Sequence, residues 1–156
     1  MNQITQAEID GALQTFGGFT EAEVQKFMRT FQKKQEPLLV YVAAVAEREE
    51  LNEHEYDVLI TMVLMTWEVI RNKFPKLKKL GIKQLEKLDD NLYETLLNDP
   101  ASMLMSVQDY PQPILLGSIL THVMESESEV REEKKGMIYF TLKNVLDGLI
   151  QASGDS

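Results

Sequence analysis

Histidine chemistry in this chain is limited to two residues, His54 and His122. His54 follows Glu50 by four residues and His122 precedes Glu125 by three, so each imidazole can share a helix face with one carboxylate. Such pairs suit proton transfer or metal binding. Neither pair forms H-E-x-x-H or Glu-x-x-His, so a metal site would require the two histidines to meet in the fold. We predict no metal site and no cofactor, and we retain His54, His122 and Glu125 as ligand candidates.

Glu68 is a further ligand candidate, because it lies in the apolar segment 58–70 directly after Trp67. A carboxylate buried there would need a partner or a raised pKa. The interpretation we favour places Glu68 on the exposed edge of a helix, in line with Thr61. The chain has no cysteine and no G-x-S-x-G, P-loop or G-x-G-x-x-G motif, so thiol chemistry and the common catalytic and phosphate-binding loops are missing. A non-enzymatic function is therefore the first expectation.

Charge is distributed in blocks along the chain. The 156 residues include 16 basic and 25 acidic side chains, for a net charge of −9. Residues 47–57 contain six acids and residues 125–133 contain five. Acids at a helix start are stabilised by the helix dipole, so solvated helix starts are the simplest interpretation. A docking surface for a basic partner, or a weak divalent-cation site, is the alternative. The residues singled out as an interaction surface are Glu47, Glu49, Glu50, Glu53, Glu127 and Glu129, together with Lys76, Lys78 and Lys79.

The segment 71–87 carries seven of the 16 basic residues. We interpret it as a solvated connection, with contact to an anionic ligand or a nucleic-acid backbone as the alternative. It contains Phe74 but no interleaved aromatic residues of the kind on which bases stack. Because the whole chain is acidic, broad nucleic-acid binding is not expected.

The elements that must position these residues are all predicted to be helices, since apolar residues recur at three- and four-residue spacing throughout. Capping boxes at 5–8, 20–23 and 126–129 indicate helix starts, as do Asn52, Pro37 and Pro113. We predict an all-α, compact bundle of six to eight helices, with helices over 53–73 and 128–152 as its central pair. Its predicted core comprises Leu59, Met62, Val63, Leu64, Trp67, Ile70, Ile138, Leu142, Val145 and Leu149.

An internal repeat is indicated by the segments 26–40 and 102–116, which align at an offset of 76 with identical residues at Gln32/Gln108, Pro37/Pro113 and Leu39/Leu115. A one-residue shift then aligns Met62 with Met137 and Thr66 with Thr141. We predict one domain, 1–156, composed of half-repeats 1–75 and 76–152. Coincidence is the alternative, because proline begins many helices.

The sequence predicts no contact with a membrane. The longest apolar stretch, 58–70, is shorter than the roughly 20 residues that cross a bilayer, and residues 1–6 lack the pattern of a secretory signal. We therefore expect a cytoplasmic protein without membrane contact.

Three functions follow from the sequence patterns. The first function is a non-enzymatic interaction or regulatory module, which binds an unknown protein or itself. The second is a ligand-binding protein or enzyme with a pocket between the halves. The third is contact with an anionic ligand or nucleic acid through residues 71–87.

Overall fold

Seven α-helices form the part of the chain that the structure describes. The structure is a computed structural model, and it describes residues 2–98, 107–125 and 129–154, with side chains described outside 95–98. The helices are α1 (Gln6–Gly17), α2 (Glu21–Lys34), α3 (Glu36–Arg48), α4 (Glu53–Lys73), α5 (Ile82–Asn98), α6 (Pro113–Met124) and α7 (Glu132–Ala152). A 3₁₀ turn lies at Val107–Asp109, and no strand occurs within these ranges. The predicted all-α bundle of six to eight helices is confirmed.

The helix starts follow the local sequence closely. Thr5, Thr20 and Asn52 are the N-caps of α1, α2 and α4, and each forms a capping box with a glutamate three residues later. Two orphan backbone N–H groups are thereby satisfied at each start. Pro37 and Pro113 lie in the first turns of α3 and α6, where a missing N–H leaves no carbonyl unpaired.

The start of α7 differs from the prediction. The helix begins at Glu132, four residues later than predicted, and its N-cap Arg131 makes no side-chain capping bond. The backbone N–H of Arg131 instead donates to Glu55 Oε2 at 2.9 Å, and Val130 is buried. Because the chain is held against the start of α4 at this point, the helix begins only after it. Residues 126–128 of the predicted capping box lie outside the described residues.

The two long helices α4 and α7 lie at the centre and pack against each other. α7 also contacts α5 and α6, and α4 also contacts α1. Nine of the ten predicted core residues are buried, and Leu64 is half-buried. Thr66 and Thr141 are fully buried in this pair, and each hydroxyl donates to the carbonyl four residues earlier, at 2.7 and 2.8 Å. These local bonds satisfy polar groups that would otherwise be costly to bury.

Two buried glutamines connect segments that precede neighbouring helices. Gln35 precedes α3, and its amide donates to the Lys78 carbonyl at 3.1 Å while accepting from the Leu80 N–H at 2.9 Å. Gln112 precedes α6 and makes the same two kinds of bond with segment 2–4, at 2.8 and 2.9 Å. The approach to α5 is thus fixed against α3, and the approach to α1 against α6.

Candidate functional site

The two histidines line one shallow cleft, which has a volume of about 240 Å³. His54 comes from the start of α4 and His122 from the end of α6, and Asp57 and Glu129 lie on the same walls. Glu125 lines a neighbouring cleft with His122. Within the described ranges, no group of three or more His, Asp or Glu side chains is placed to hold a metal ion. The two histidines therefore line the same cleft, but no metal-binding group is formed within the described ranges.

Glu68 lies away from the histidines. It follows His54 by 14 residues on the same helix, which corresponds to a separation of about 21 Å. Its carboxylate accepts from Arg71 at 2.8 and 3.0 Å and from Asn72 at 3.0 Å. The Glu68 side chain is 15% exposed, and its charge is compensated by Arg71. The four ligand candidates thus do not surround one cavity, and Glu68 positions a cation rather than facing His54.

The acidic segment 47–57 is solvated at most positions, with one clear exception. Glu47, Glu50, Glu53 and Glu129 are exposed, Glu49 is half-buried, and Glu127 lies outside the described residues. Glu55, in contrast, is fully buried, so the interpretation of this whole segment as solvated helix starts is wrong at that residue. The sequence signal was its place opposite Asn52 in a capping box, which turns the carboxylate back toward the chain.

Arg131 is the partner that permits the burial of Glu55. Its guanidinium donates to Glu55 Oε1 at 2.7 Å and to Oε2 at 3.0 Å, in a bidentate pair. The backbone N–H groups of Asn52 and Arg131 donate to the same carboxylate, each at 2.9 Å. The hydrogen bonds from Arg131 lower the pKa of Glu55 to about 2, against the opposing effect of burial. The pair therefore joins the starts of α4 and α7 as a structural contact.

Further cations from α7 lie at the ends of α3 and α6. Lys134 Nζ donates to the Glu49 carbonyl at 2.7 Å, and the buried Lys135 donates to the Met124 carbonyl at 2.9 Å. Cations at helix C-termini compensate the negative end of the helix dipole. The negative ends of the α3 and α6 helix dipoles are thus partly compensated by basic residues of α7.

A buried polar cluster joins α3 to α5. Asp89 accepts from the Tyr41 hydroxyl at 2.8 Å and from Arg48 at 2.8 and 3.2 Å. Burial, and then the hydrogen bond to Asp89, raise the pKa of Tyr41 above its usual value. Tyr93 donates to Glu49, and burial together with this bond raises the pKa of Tyr93 to about 12. Because these groups satisfy one another, the cluster holds helices together and leaves no poised acid or base.

A cleft of about 480 Å³ lies between α2, α4 and the connection to α5, and we call it the basic cleft. Its walls are formed by Lys33, Lys34, Gln35, Trp67, Arg71, Asn72, Pro75, Leu77 and Lys79. Four of these residues are cations and none is an acid. Lys79 was among the predicted surface lysines, whereas Lys76 and Lys78 are exposed on the same connection without lining the cleft. Lys33 and Lys34 were missed, because they lie about 40 residues earlier and only the tertiary structure brings them to the connection.

Aromatic rings in edge-to-face contact support the basic cleft. The Arg71 guanidinium carbon lies 4.2 Å from the centre of the Trp67 ring and 5.7 Å from that of Phe27. Phe27 and Phe31 meet Trp67 edge-on at 5.5 and 5.1 Å. Such aromatic and cation–π contacts contribute about 0.5–1.5 kcal/mol each. Together they attach α2 to α4 and hold Arg71 in a defined position.

A second, smaller cleft lies on the other side of Phe27. It has a volume of about 190 Å³, and we call it the apolar notch. Its walls are formed by Phe16, Phe19, Val24, Phe27, Met28, Thr61 and Leu64. Thr61 is its one polar lining residue. Leu64 is only half-buried because its side chain lines the notch as well as packing against the core.

Comparison with protein-family models, with curated proteins and with solved structures gives no significant match for this chain. Among the described helices, none combines the length and the apolar composition needed to cross a bilayer. The described residues form an all-α bundle whose surface includes a cationic cleft and an apolar cleft.

Proposed function

We propose that this protein is a non-enzymatic interaction module that binds an acidic segment of a partner protein in the basic cleft. The observation that carries the proposal is the lining of that cleft: Lys33, Lys34 and Lys79 line it with no acid among the lining residues, and Arg71 lies beside them in a pair with Glu68. This lining stands out on a chain with a net charge of −9. Such a local reversal of charge selects oppositely charged partners and increases their rate of association.

The placement of the ligand candidates supports binding over catalysis. An acid–base site needs its groups within hydrogen-bonding reach of one reacting atom. Glu68 is paired with Arg71 far from the histidines. Tyr41 and Tyr93, the tyrosines with raised pKa values, donate hydrogen bonds to Asp89 and Glu49. An enzyme with a pocket between the halves is therefore the second choice.

An acidic polypeptide suits the cleft better than a nucleic acid. Contact with a phosphate backbone usually requires an extended positive surface, because neighbouring phosphates follow at short intervals. Here Glu47, Glu50 and Glu53 are exposed elsewhere on the same small molecule and would repel a long polyanion. A short acidic segment can occupy the cleft without approaching them.

We also propose that the chain is one domain built from two related halves. Core residues from Ile4 to Leu149 belong to a single apolar cluster. Gln35 and Gln112 are the N-caps of α3 and α6, one residue away from the offset of 76, and each binds a segment of the opposite half. A duplicated unit related by a twofold axis accounts for this reciprocity. A cytoplasmic location fits the cysteine-free sequence, and self-association remains one form of the interaction.

Fluorescence anisotropy of a labelled peptide provides a direct test, because Trp67 in the wall of the cleft is only 1% exposed and has little contact with an occupant. A fluorescein-labelled ten-residue peptide rich in Asp and Glu should bind on titration with the protein, and a Lys-rich peptide should not. Lys33→Glu/Lys34→Glu should weaken binding of the acidic peptide about tenfold or more, which corresponds to at least about 1.4 kcal/mol.

The matched control reverses two exposed lysines that do not line the cleft, Lys83→Glu/Lys87→Glu. This control changes the net charge by the same amount, so it should weaken binding much less. Equal effects of the two double substitutions would show that binding depends on overall charge, and the basic cleft would then not be the site. Absence of any response to acidic peptides would refute the proposed function.

A further inference from the structure

We infer that the partner segment carries an apolar anchor residue close to its acidic residues, and that this anchor binds in the apolar notch. The inference rests on the proposed function and specifies the chemistry of the partner. It follows from the position of the notch, which lies next to the basic cleft on the same pair of helices, α2 and α4.

The α2 helix carries an apolar cluster that is only partly covered. Among its residues only Phe31 is fully buried, whereas Phe27 and Met28 are half-buried and Val24 is 45% exposed. Phe16 and Phe19 pack against this cluster, and their rings lie 5.0 and 5.8 Å from that of Phe27. The half-buried rings and the exposed valine form the walls of the notch, where an apolar anchor could complete their burial.

The size of the notch suits one side chain. Its volume of about 190 Å³ equals about six times the volume of a liquid water molecule, which is room for one large aliphatic or aromatic group. The notch therefore takes a single anchor side chain of the partner segment.

Charge complementarity identifies the rest of that segment. Phe27 forms a wall of the notch, and the Arg71 guanidinium of the basic cleft lies only 5.7 Å from its ring. An extended chain advances about 3.3 Å per residue. An anchor in the notch thus places residues about two to four positions away beside Arg71, and acidic side chains there would meet Lys33 and Lys34.

The test compares two peptides that share one acidic tract. The first carries a leucine three residues from the tract, and the second carries serine at that position. Fluorescence anisotropy of the labelled peptides measures both affinities, and we expect the leucine peptide to bind about tenfold more tightly. Val24→Ser should weaken binding of the leucine peptide about threefold and leave the affinity of the serine peptide unchanged.

Val40→Ser is the matched control, because Val40 is also an exposed helical valine, at 54% exposure, but lies on α3 outside both clefts. It should leave both affinities unchanged. The double variant Val24→Ser/Met28→Gln should abolish most of the difference in affinity between the leucine and serine peptides. Circular dichroism should show that the single and double variants remain folded.

The outcomes separate this inference from the proposed function. If both peptides bind equally and both are weakened by Lys33→Glu/Lys34→Glu, the basic cleft is retained and the anchor is refuted. If neither peptide binds, both proposals fail. Tighter binding of a single-stranded oligonucleotide than of either peptide would overturn them in favour of nucleic acid. A mass that rises with protein concentration and falls on adding peptide would assign the cleft to a second copy of this chain and overturn the partner named here.

Discussion

Replacement of Glu55 by glutamine tests the buried ion pair between α4 and α7. In the folded protein, hydrogen bonds from Arg131 lower the pKa of Glu55 from 4.5 to about 2. A difference of this size corresponds to about 3 kcal/mol of stability at neutral pH. Because the Arg131 side chain is 44% exposed, solvent screens the pair, and we expect Glu55→Gln to cost about 2 kcal/mol.

The pH dependence of this cost gives the sharper test. A carboxyl group whose pKa is lowered on folding contributes its full stability above its unfolded pKa, and the contribution is lost as pH falls toward the folded value. For Glu55 this interval runs from about pH 5 to about pH 2. At pH 3 more than half of the contribution should be gone, so the cost of Glu55→Gln should fall below about 1 kcal/mol.

Urea denaturation followed by Trp67 fluorescence measures both quantities at pH 7, 5 and 3. Glu53→Gln is the control, because Glu53 lies in the same first turn of α4 and is exposed. It should change the free energy of unfolding by less than about 0.5 kcal/mol. Arg131→Gln should also lower the free energy of unfolding, and the double variant should cost less than the sum of the two single variants. Equal effects of Glu55→Gln and Glu53→Gln, or a cost independent of pH, would refute the reasoning.

Two further stability predictions concern the backbone and the core. Glu50 is the one non-glycine residue with a positive φ in the described ranges, at +52° after the end of α3. Glu50→Gly should therefore raise the free energy of unfolding by about 0.5–1 kcal/mol in urea denaturation, and a loss of stability would show that the Glu50 side chain makes a contact worth more than the strain. Trp67 is 1% exposed and packs against Phe27 and Phe31. Trp67→Ala should cost about 3–5 kcal/mol, measured by circular dichroism because the fluorophore is lost; an unchanged melting temperature would contradict its place in the core.

The fold could be predicted from the sequence where the signal was local. The Thr5 and Thr20 capping boxes and the prolines at 37 and 113 specify helix starts through neighbouring backbone groups, and the structure has those starts. The start of α7 could not be predicted in the same way. It depends on the bonds that Arg131 makes with Glu55, a residue 76 positions away.

The same distinction between local sequence signals and tertiary packing applies to the candidate sites. By itself, the sequence established an all-helical core, an excess of acid in two segments and a basic connection, because periodicity and composition are properties of neighbouring residues. Only the tertiary structure decided which charges remain available. It buried Glu55 against Arg131 and paired Glu68 with Arg71. It also brought Lys33 and Lys34 to Lys79, beside Trp67. These pairings depend on how the helices pack, and packing joins residues that are distant in the chain.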